Sequence, residues 1–322
     1  PNLITYICIL GACGSLGSLE IGQQIHSEVS KQGLMGKDIM LGTSLVDMYA
    51  KCGILDKARE VFDGLPIRNI VSWNALIAGY AKHGQGKKAV ELLQRMSREG
   101  KKPDDATLVS TLKACSSGSD IDQGKSIHAL VLRSGRVIDL SIGCALMDMY
   151  IKLGNIRNAR SIFDKMAKRD VVTWNAMMTG YVEYGWGHEA LICFQQMQRE
   201  GLKPGIVTYL CVLKGIMSTQ LQHNGKHIHH GIIHDHFESD EAIGNMVVDM
   251  YANFGSIEDP FKVFDGLKNP SKVSWSSLMG GYVKHGDGLL GLELFTKMQQ
   301  KCIEPDKVAY LPALKACCLT SH

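Results

Sequence analysis

"SWNALIAGYAKHG" (residues 72–84) returns as "TWNAMMTGYVEYG" at 173–185 and as "SWSSLMGGYVKHG" at 274–286, each time after 101 residues. Inside the phrase, Trp73, Leu76, Ile77, Tyr80 and Ala81 fall at i, i+3, i+4, i+7 and i+8, the apolar stripe of one helix face. Gly84 is placed to end that helix. A second stripe at Ala89, Leu92, Leu93 and Met96 stops before Gly100 and Pro103, as helix C-termini do. One such helix pair cannot bury both stripes alone, so repeated pairs must stack on one another. The expected fold class is all-α, a solenoid of stacked helix-turn-helix repeats with a continuous core and a concave surface.

The 101-residue period divides further. A 31-residue segment, 39–69, recurs at 140–170 and 241–271, and a 35-residue unit follows each copy, at 70–104, 171–205 and 272–306. Units 105–139 and 206–240 lie between them, marked by "LKAC" or "LKGI" and by "GxxIH". Related units open the chain at 3–38 and close it, truncated, at 307–322, so the chain is expected to be a piece of a longer protein. Pro260 replaces Ala58 and Ala159 early in a second helix. A proline there loses a backbone bond, and that helix is expected to start late.

Composition narrows the function. At 322 residues and 45% hydrophobic content, a single globular chain would suggest two domains, but the repeats override that count. The net charge of +3 and pI near 8.3 are far from a protein that grips phosphates by bulk charge, so any nucleic-acid partner needs other contacts. No apolar run approaches a membrane span, and "PNLITYICIL" has no basic n-region, so no membrane partner and no signal or transit peptide are expected.

Among ten cysteines, Cys13, Cys115 and Cys317 are repeat equivalents whose place in the third complete unit of their kind is taken by Ile216. Packing tolerates that exchange and ligation does not, so a reduced, disulfide-free chain is expected. The run at 223–236 holds His223, His227, His229, His230, His234 and His236, with i, i+4 pairs that could hold zinc from one helix face. But His26, His128 and His229 are repeat equivalents in "GxxIH", and no Cys or HExxH frame joins them. No metal is therefore assigned; a protonation-sensitive surface is the better reading. A nucleobase deaminase needs HxE and PCxxC elements, and neither is present, so no catalytic residue or cofactor is assigned.

The units "VSWNALIAGYAKHG…KKPD", "LKACSSGSDIDQGKSIH" and "LVDMYAKCGILDKAREVFDGLP" resemble the P, L and S repeats of a plant-type pentatricopeptide repeat (PPR) protein of the PLS subclass, over essentially the whole chain. The resemblance implies a right-handed superhelix that binds single-stranded RNA one base per repeat, in the mitochondrion or chloroplast. It further implies a site-recognition factor for C-to-U RNA editing, with L repeats as docking sites for MORF-type editing cofactors. A tetratricopeptide-type protein scaffold shares the helical hairpin. Its W-x2-L-G-x2-Y phrase is absent, since Trp73 is followed by Asn, Ala and Leu before Gly79-Tyr80.

By the same resemblance, position 5 and the last position of a repeat meet the base edge, and position 2 packs on the base face. The pairs are Thr43/Asn69, Asn74/Asp104, Cys144/Asp170, Asn175/Gly205, Asn245/Ser271 and Ser276/Asp306. Asn at position 5 leaves room for a pyrimidine, Thr or Ser for a purine. An Asp carboxylate accepts from the ring N–H of uracil or guanine, whereas Asn or Ser donates to the bare ring nitrogen of adenine or cytosine. In order this gives A, U, a faint G at Cys144, either pyrimidine at Asn175, then C and G. The L repeats carry Ile7, Val109, Leu210 and Leu311 at position 5 and are expected to space rather than read. Val71, Val172, Val207 and Val273 at position 2 could wedge between bases as aliphatic counterparts of aromatic platforms. The plainer alternative makes the Asn residues solvent-facing and the valines minor core. Trp73, Trp174 and Trp275 begin an apolar stripe and are assigned to packing rather than to stacking on RNA.

Overall fold

A computed structural model describes residues 2–35, 38–117, 121–133, 135, 138–219, 222–255, 258–267 and 270–320. It divides into two compact units, residues 1–168 and 169–322. Unit 1 contains α1 (Leu3–Leu16), α2 (Leu19–Lys31), α3 (Ile39–Lys51), α4 (Leu55–Asp63) and α5 (Ile70–Lys82), followed by α6 (Gly86–Arg98), α7 (Asp105–Ser117), α8 (Ile121–Arg133), α9 (Leu140–Lys152) and α10 (Ile156–Lys165). Unit 2 contains α11 (Val171–Glu183), α12 (Gly187–Arg199), α13 (Ile206–Thr219), α14 (Gln222–His234), α15 (Glu241–Asn253), α16 (Glu258–Gly266), α17 (Lys272–Lys284), α18 (Gly288–Gln300) and α19 (Lys307–Thr320). Among the described residues there is no strand, and no helix is long and apolar enough to cross a membrane.

Local chemistry sets these helices. Asp38, Asn69, Asp139, Asp170, Asp240 and Ser271 each precede an odd-numbered helix and accept a hydrogen bond from its free N–H groups, the N-cap role for which Asp, Asn and Ser are suited. After α5, Gly84 takes φ +69°, a left-handed conformation that a side chain disfavours, and the chain turns into α6. Ala58 and Ala159 donate to Ile54 O and Asn155 O at 3.0 and 3.2 Å. Pro260 cannot make that bond. Helix α16 is described from Glu258, with Pro260 third among its described residues; where the helix begins lies outside the described residues.

Within each unit the odd-numbered helices pack in a row, α1 to α9 and α11 to α19; each even-numbered helix packs on its own odd partner and, α10 at the end of unit 1 aside, on the next. The odd row is therefore the inner, closer-spaced layer. Small residues permit the spacing: a Cβ on Gly79 would stand 2.6 Å from Ala50 Cβ, and one on Gly281 2.4 Å from Ala252 Cβ. Trp73, Trp174 and Trp275 are at most 2% exposed, as their place in the stripe predicts. Phe62 and Phe264 meet Trp73 and Trp275 edge-on with centroids 4.6 Å apart. Cys13, Cys115 and Ile216 are buried in equivalent positions, while Cys317 on α19 is exposed.

The "GxxIH" histidines join consecutive repeats. His26, His128 and His229 face the hydroxyls of Tyr49, Tyr150 and Tyr251 at 2.9, 2.9 and 3.0 Å. Burial pushes the His26 and His128 imidazoles below their ordinary value, which favours the neutral ring. His83 and His285, the histidines of "KHG", reach back to Ala50 O and Ala252 O at 3.2 and 3.1 Å.

Candidate functional site

A fifth residue sits one turn into each odd helix, and the last residue of the repeat caps the next odd helix. Stacking the odd helices thus brings together side chains about thirty positions apart. Asn74 Nδ2 donates to both carboxylate oxygens of Asp104 at 3.0 Å. In unit 2, Asn245 Nδ2 donates to Ser271 Oγ at 3.0 Å. Asn175 has no last-position side chain to meet, because Gly205 stands there. Its Oδ1 instead accepts from the Thr208 hydroxyl at 2.8 Å.

The short position-5 residues behave differently. Thr43 and Ser276 turn their hydroxyls back to Ile39 O and Lys272 O at 2.7 and 2.8 Å, leaving space rather than a donor at the surface. Cys144 is half-buried in α9 of unit 1; Asp170 caps α11 at the start of unit 2. Hydrogen bonds from the Thr173 hydroxyl and backbone hold the Asp170 carboxyl below its ordinary value, so at neutral pH it is acceptor-only.

Val71, Val172, Val207 and Val273 are 57, 67, 57 and 61% exposed. The minor-core alternative does not describe them: they are surface apolar groups one turn before the fifth residues. In unit 2 a cleft of about 310 Å³ is lined by Val273, Ser276 and Asp306 together with Val308 of the next repeat, with Asp249 and Lys284 also in its wall. Positions 2, 5 and last of one repeat thus share one concavity, closed by position 2 of the next. Burial raises the Asp249 carboxyl above its ordinary value, against the pull of its Ser277 hydrogen bond and of Lys284. In the inner row of unit 1, Lys51 and Lys152 are ion-paired with Asp47 and Asp148 at 2.7 and 2.9 Å, so positive charge on this face is partly compensated.

Two features escaped the sequence reading. The last-position residues cap helices as well as facing position 5: Asn69 Oδ1 accepts from Ser72 N at 2.8 Å, Asp104 Oδ1 from Thr107 N at 2.8 Å, and Asp306 Oδ1 from Ala309 N at 2.9 Å. The third residue of the following repeat, Thr107, Thr208 or Ser274, reaches the position-5 amide with a fully buried hydroxyl. In the histidine run, His229 is engaged by Tyr251, and the exposed His223 and His227 rings approach each other at 3.2 Å.

A family model described as PPR repeat family matches residues 68–117, 169–218 and 270–319, and one described as PPR repeat matches 43–70 and 144–171. Together they cover more than half of the chain. The pentatricopeptide repeat-containing protein At5g27110 of Arabidopsis thaliana is 36% identical over 98% of this chain and 46% of its own length. The Arabidopsis thaliana protein At1g11290, named chloroplastic, is 35% identical over 98% of this chain and 39% of its own length. The chain therefore spans about half or less of the length of these relatives. Among solved structures, the crystal structure of the pentatricopeptide repeat protein PPR10 from maize superposes with a TM-score of 0.74 at 19% identity, over all of this chain and 52% of that one. PPR10 in complex with an 18-nt psaJ RNA element gives a TM-score of 0.64 at 18% identity, over 99% of this chain and 53% of that one. That likeness shows the fold, an all-α solenoid. With repeat models matching along its length and relatives at about 35% identity over nearly all of it, the chain belongs to the pentatricopeptide repeat family.

Proposed function

We propose that this chain binds single-stranded RNA with sequence selectivity, one base per repeat, through positions 2, 5 and last. The observation that carries the reading is the unit 2 cleft in which Val273, Ser276 and Asp306 converge, with Val308 opposite: apolar walls for a base face, the Asp306 carboxylate for its edge, and at Ser276 a short side chain that leaves room for a purine. The Asn74/Asp104 and Asn245/Ser271 pairs repeat the polar part of that arrangement. Family membership and the RNA complex of PPR10 support it. Read amino to carboxyl against RNA 5′ to 3′, the eight repeats from Ile39 to Asp306 specify A-U-N-G-Y-N-C-G. The alternation of 31- and 35-residue units supports the PLS subclass, and with it the role of marking organellar transcripts for C-to-U editing. The apolar fifth residues of the L repeats suit spacing or the docking of MORF-type cofactors. Relatives named chloroplastic and mitochondrial support an organellar site of action.

Fluorescence anisotropy with the eight-nucleotide RNA, as a single strand and as a duplex, tests the reading. Single-strand binding at least about tenfold tighter is expected, because an A-form duplex hides the base edges. Equal affinity for the two would refute it, and tighter binding of a peptide library than of RNA would point to a protein scaffold.

A further inference from the structure

Three position-5 asparagines are each touched by a residue outside the reading positions. Thr107, Thr208 and Ser274, the third residues of the following repeats, are 0% exposed and place their hydroxyls on Asn74 Oδ1, Asn175 Oδ1 and Asn245 Oδ1. Each hydroxyl oxygen also accepts a backbone N–H from the last residue of the repeat: Asp104 at 3.3 Å, Gly205 at 3.1 Å and Ser271 at 3.0 Å. A hydroxyl has one proton. With its oxygen receiving the backbone N–H, the Thr208 proton is left for the amide oxygen; at Thr107 the Asp104 carboxylate, 2.7 Å away, shares the hydroxyl, and at Ser274 the Ser271 hydroxyl lies 3.1 Å away. The same contacts, last-position N–H to hydroxyl oxygen and hydroxyl to Asn Oδ1, recur at Thr107, Thr208 and Ser274, and they are unshared with another side chain at Thr208.

An asparagine amide has two ends of opposite polarity and nearly the same shape. Once Oδ1 is held from below, Nδ2 is the end left for the last-position side chain and for a base. At Asn74 the Asp104 carboxylate imposes the same orientation through two bonds from Nδ2, and at Asn245 the Ser271 hydroxyl contributes one. At Asn175 nothing else among the described residues does: Gly205 has no side chain, and Thr208 is the group that decides which end faces out.

The sequence follows the same logic. Where position 5 is apolar, at Ile7, Val109 and Leu210, the third residue of the next repeat is Leu41, Ile142 or Ile243, each buried. Where position 5 is Asn, it is Thr107, Thr208 or Ser274. Where position 5 is Thr43, whose hydroxyl bonds its own helix, Ser72 donates to Asn69 O at 2.8 Å instead. Ser276, likewise bonded to its own helix, is followed by Ala309, and Cys144 by Thr173, whose hydroxyl donates to Asp170 Oδ1 at 2.6 Å.

We propose that the buried hydroxyl at the third position of the following repeat is a positioning residue for base recognition: it fixes the amide of Asn74, Asn175 and Asn245 with its N–H₂ end toward the RNA. Selectivity at an asparagine repeat then depends on three residues, two that face the base and one beneath. This rests on the RNA-reading proposal above, and the test separates the two. The position that reports most cleanly is the fifth nucleotide, opposite Asn175, where a donor presented outward suits the carbonyl oxygen shared by both pyrimidines.

The full chain and its Thr208→Val and Thr208→Ser variants are titrated by anisotropy against four RNAs of the A-U-N-G-Y-N-C-G series that differ only at the fifth nucleotide. Thr208→Val is isosteric and removes the hydroxyl; Thr208→Ser keeps it. The preference for pyrimidine over purine should fall by about tenfold in Thr208→Val, the size of one good base-edge contact, and stay within about twofold of the parent in Thr208→Ser. Thr107→Val should lower the U preference at the second nucleotide less, because Asp104 still orients Asn74. Thermal melts are recorded for each variant; if Thr208→Val is unfolded, Ser274→Ala carries the same test at the seventh nucleotide. An unchanged preference in the hydroxyl-free variant overturns the proposal. So does an equal loss of affinity for all four bases, a loss in Thr208→Ser as large as in Thr208→Val, or a parent chain that binds RNA with no preference at the fifth nucleotide. A parent chain that binds no RNA overturns the proposed function itself.

Discussion

Replacing Asp104 with Asn separates the helix-capping role of this side chain from the base-reading role proposed for it. Asp104 Oδ1 accepts from Thr107 N at 2.8 Å and so caps α7, while both of its oxygens lie 3.0 Å from Asn74 Nδ2. Asn is as good an N-cap as Asp, so the substitution should change stability by no more than a few tenths of a kcal/mol, whereas Asp104→Ala should cost about 1 kcal/mol. Asn69 already shows the arrangement an Asn would adopt here, its Oδ1 on the capped N–H of Ser72 at 2.8 Å. The group left to face a base then changes from an acceptor to an N–H donor. A ring N–H is no longer accommodated and a bare ring nitrogen is, so the second nucleotide should switch from U to C, by on the order of 1–3 kcal/mol in relative affinity. Anisotropy with eight-nucleotide RNAs carrying U or C at that position measures the switch, and a thermal melt of each variant measures the cap. If Asp104→Asn keeps the U preference at parental stability, the last-position residue is a helix cap and not a reader.

Asn74→Thr with Asp104 retained should move the same position from U toward G, since the shorter side chain admits a purine while the carboxylate still accepts from its ring N–H; equal loss for all four bases in the anisotropy titration would show that Asn74 only positions. Gly281→Ala should destabilise unit 2, because the new Cβ would lie 2.4 Å from Ala252 Cβ and 3.0 Å from its Cα. Overpacking of about 1–3 kcal/mol should outweigh the roughly 1 kcal/mol gained in helix propensity, and a denaturant melt reads the sign. His26 and His128 are depressed below 6.5 first by burial, then by Lys57 and Lys165, with Glu60 opposing at His26. The folded state therefore binds fewer protons than the unfolded one between the depressed values and 6.5. The stability from these neutral rings is present above 6.5 and lost as the pH falls toward the folded values. A melting temperature that drops over that window in the parent, and drops less in a His26→Gln/His128→Gln double variant, is the expected outcome.

The helix pairs were legible because the apolar stripes of Trp73 to Tyr80 and Ala89 to Met96 carry the helical period, and stacking follows from stripes that one pair cannot bury. The glycine in "AGY" could not be read so directly. Its purpose appears once Gly79 is seen against Ala50, a contact between residues in different repeats. The His of "GxxIH" was visible as a repeat equivalent, but its partner, the Tyr hydroxyl of the next repeat, was not. The candidate site was legible in part. Asp, Asn and Ser at the last position are what base reading asks for, and they are also what an N-cap asks for, so residue type alone does not distinguish the two roles at Asp104 or Asn69. Thr107, Thr208 and Ser274 were overlooked because a buried hydroxyl early in a helix has no helical period of its own; only pairing each with the fifth residue of the preceding repeat exposes the pattern. Pro312 lies inside α19, and nothing in the packing of that helix explains it.

On the proposed reading, S and P repeats contact base edges and L repeats do not. Selection of bound sequences from a random single-stranded RNA library tests it most directly, because it imposes no register and favours no base. The expected enrichment is A-U-N-G-Y-N-C-G, with the strongest information at the first, second, seventh and eighth positions and none at the third and sixth, opposite Val109 and Leu210. An enrichment whose strongest bias falls at the third and sixth positions would contradict it.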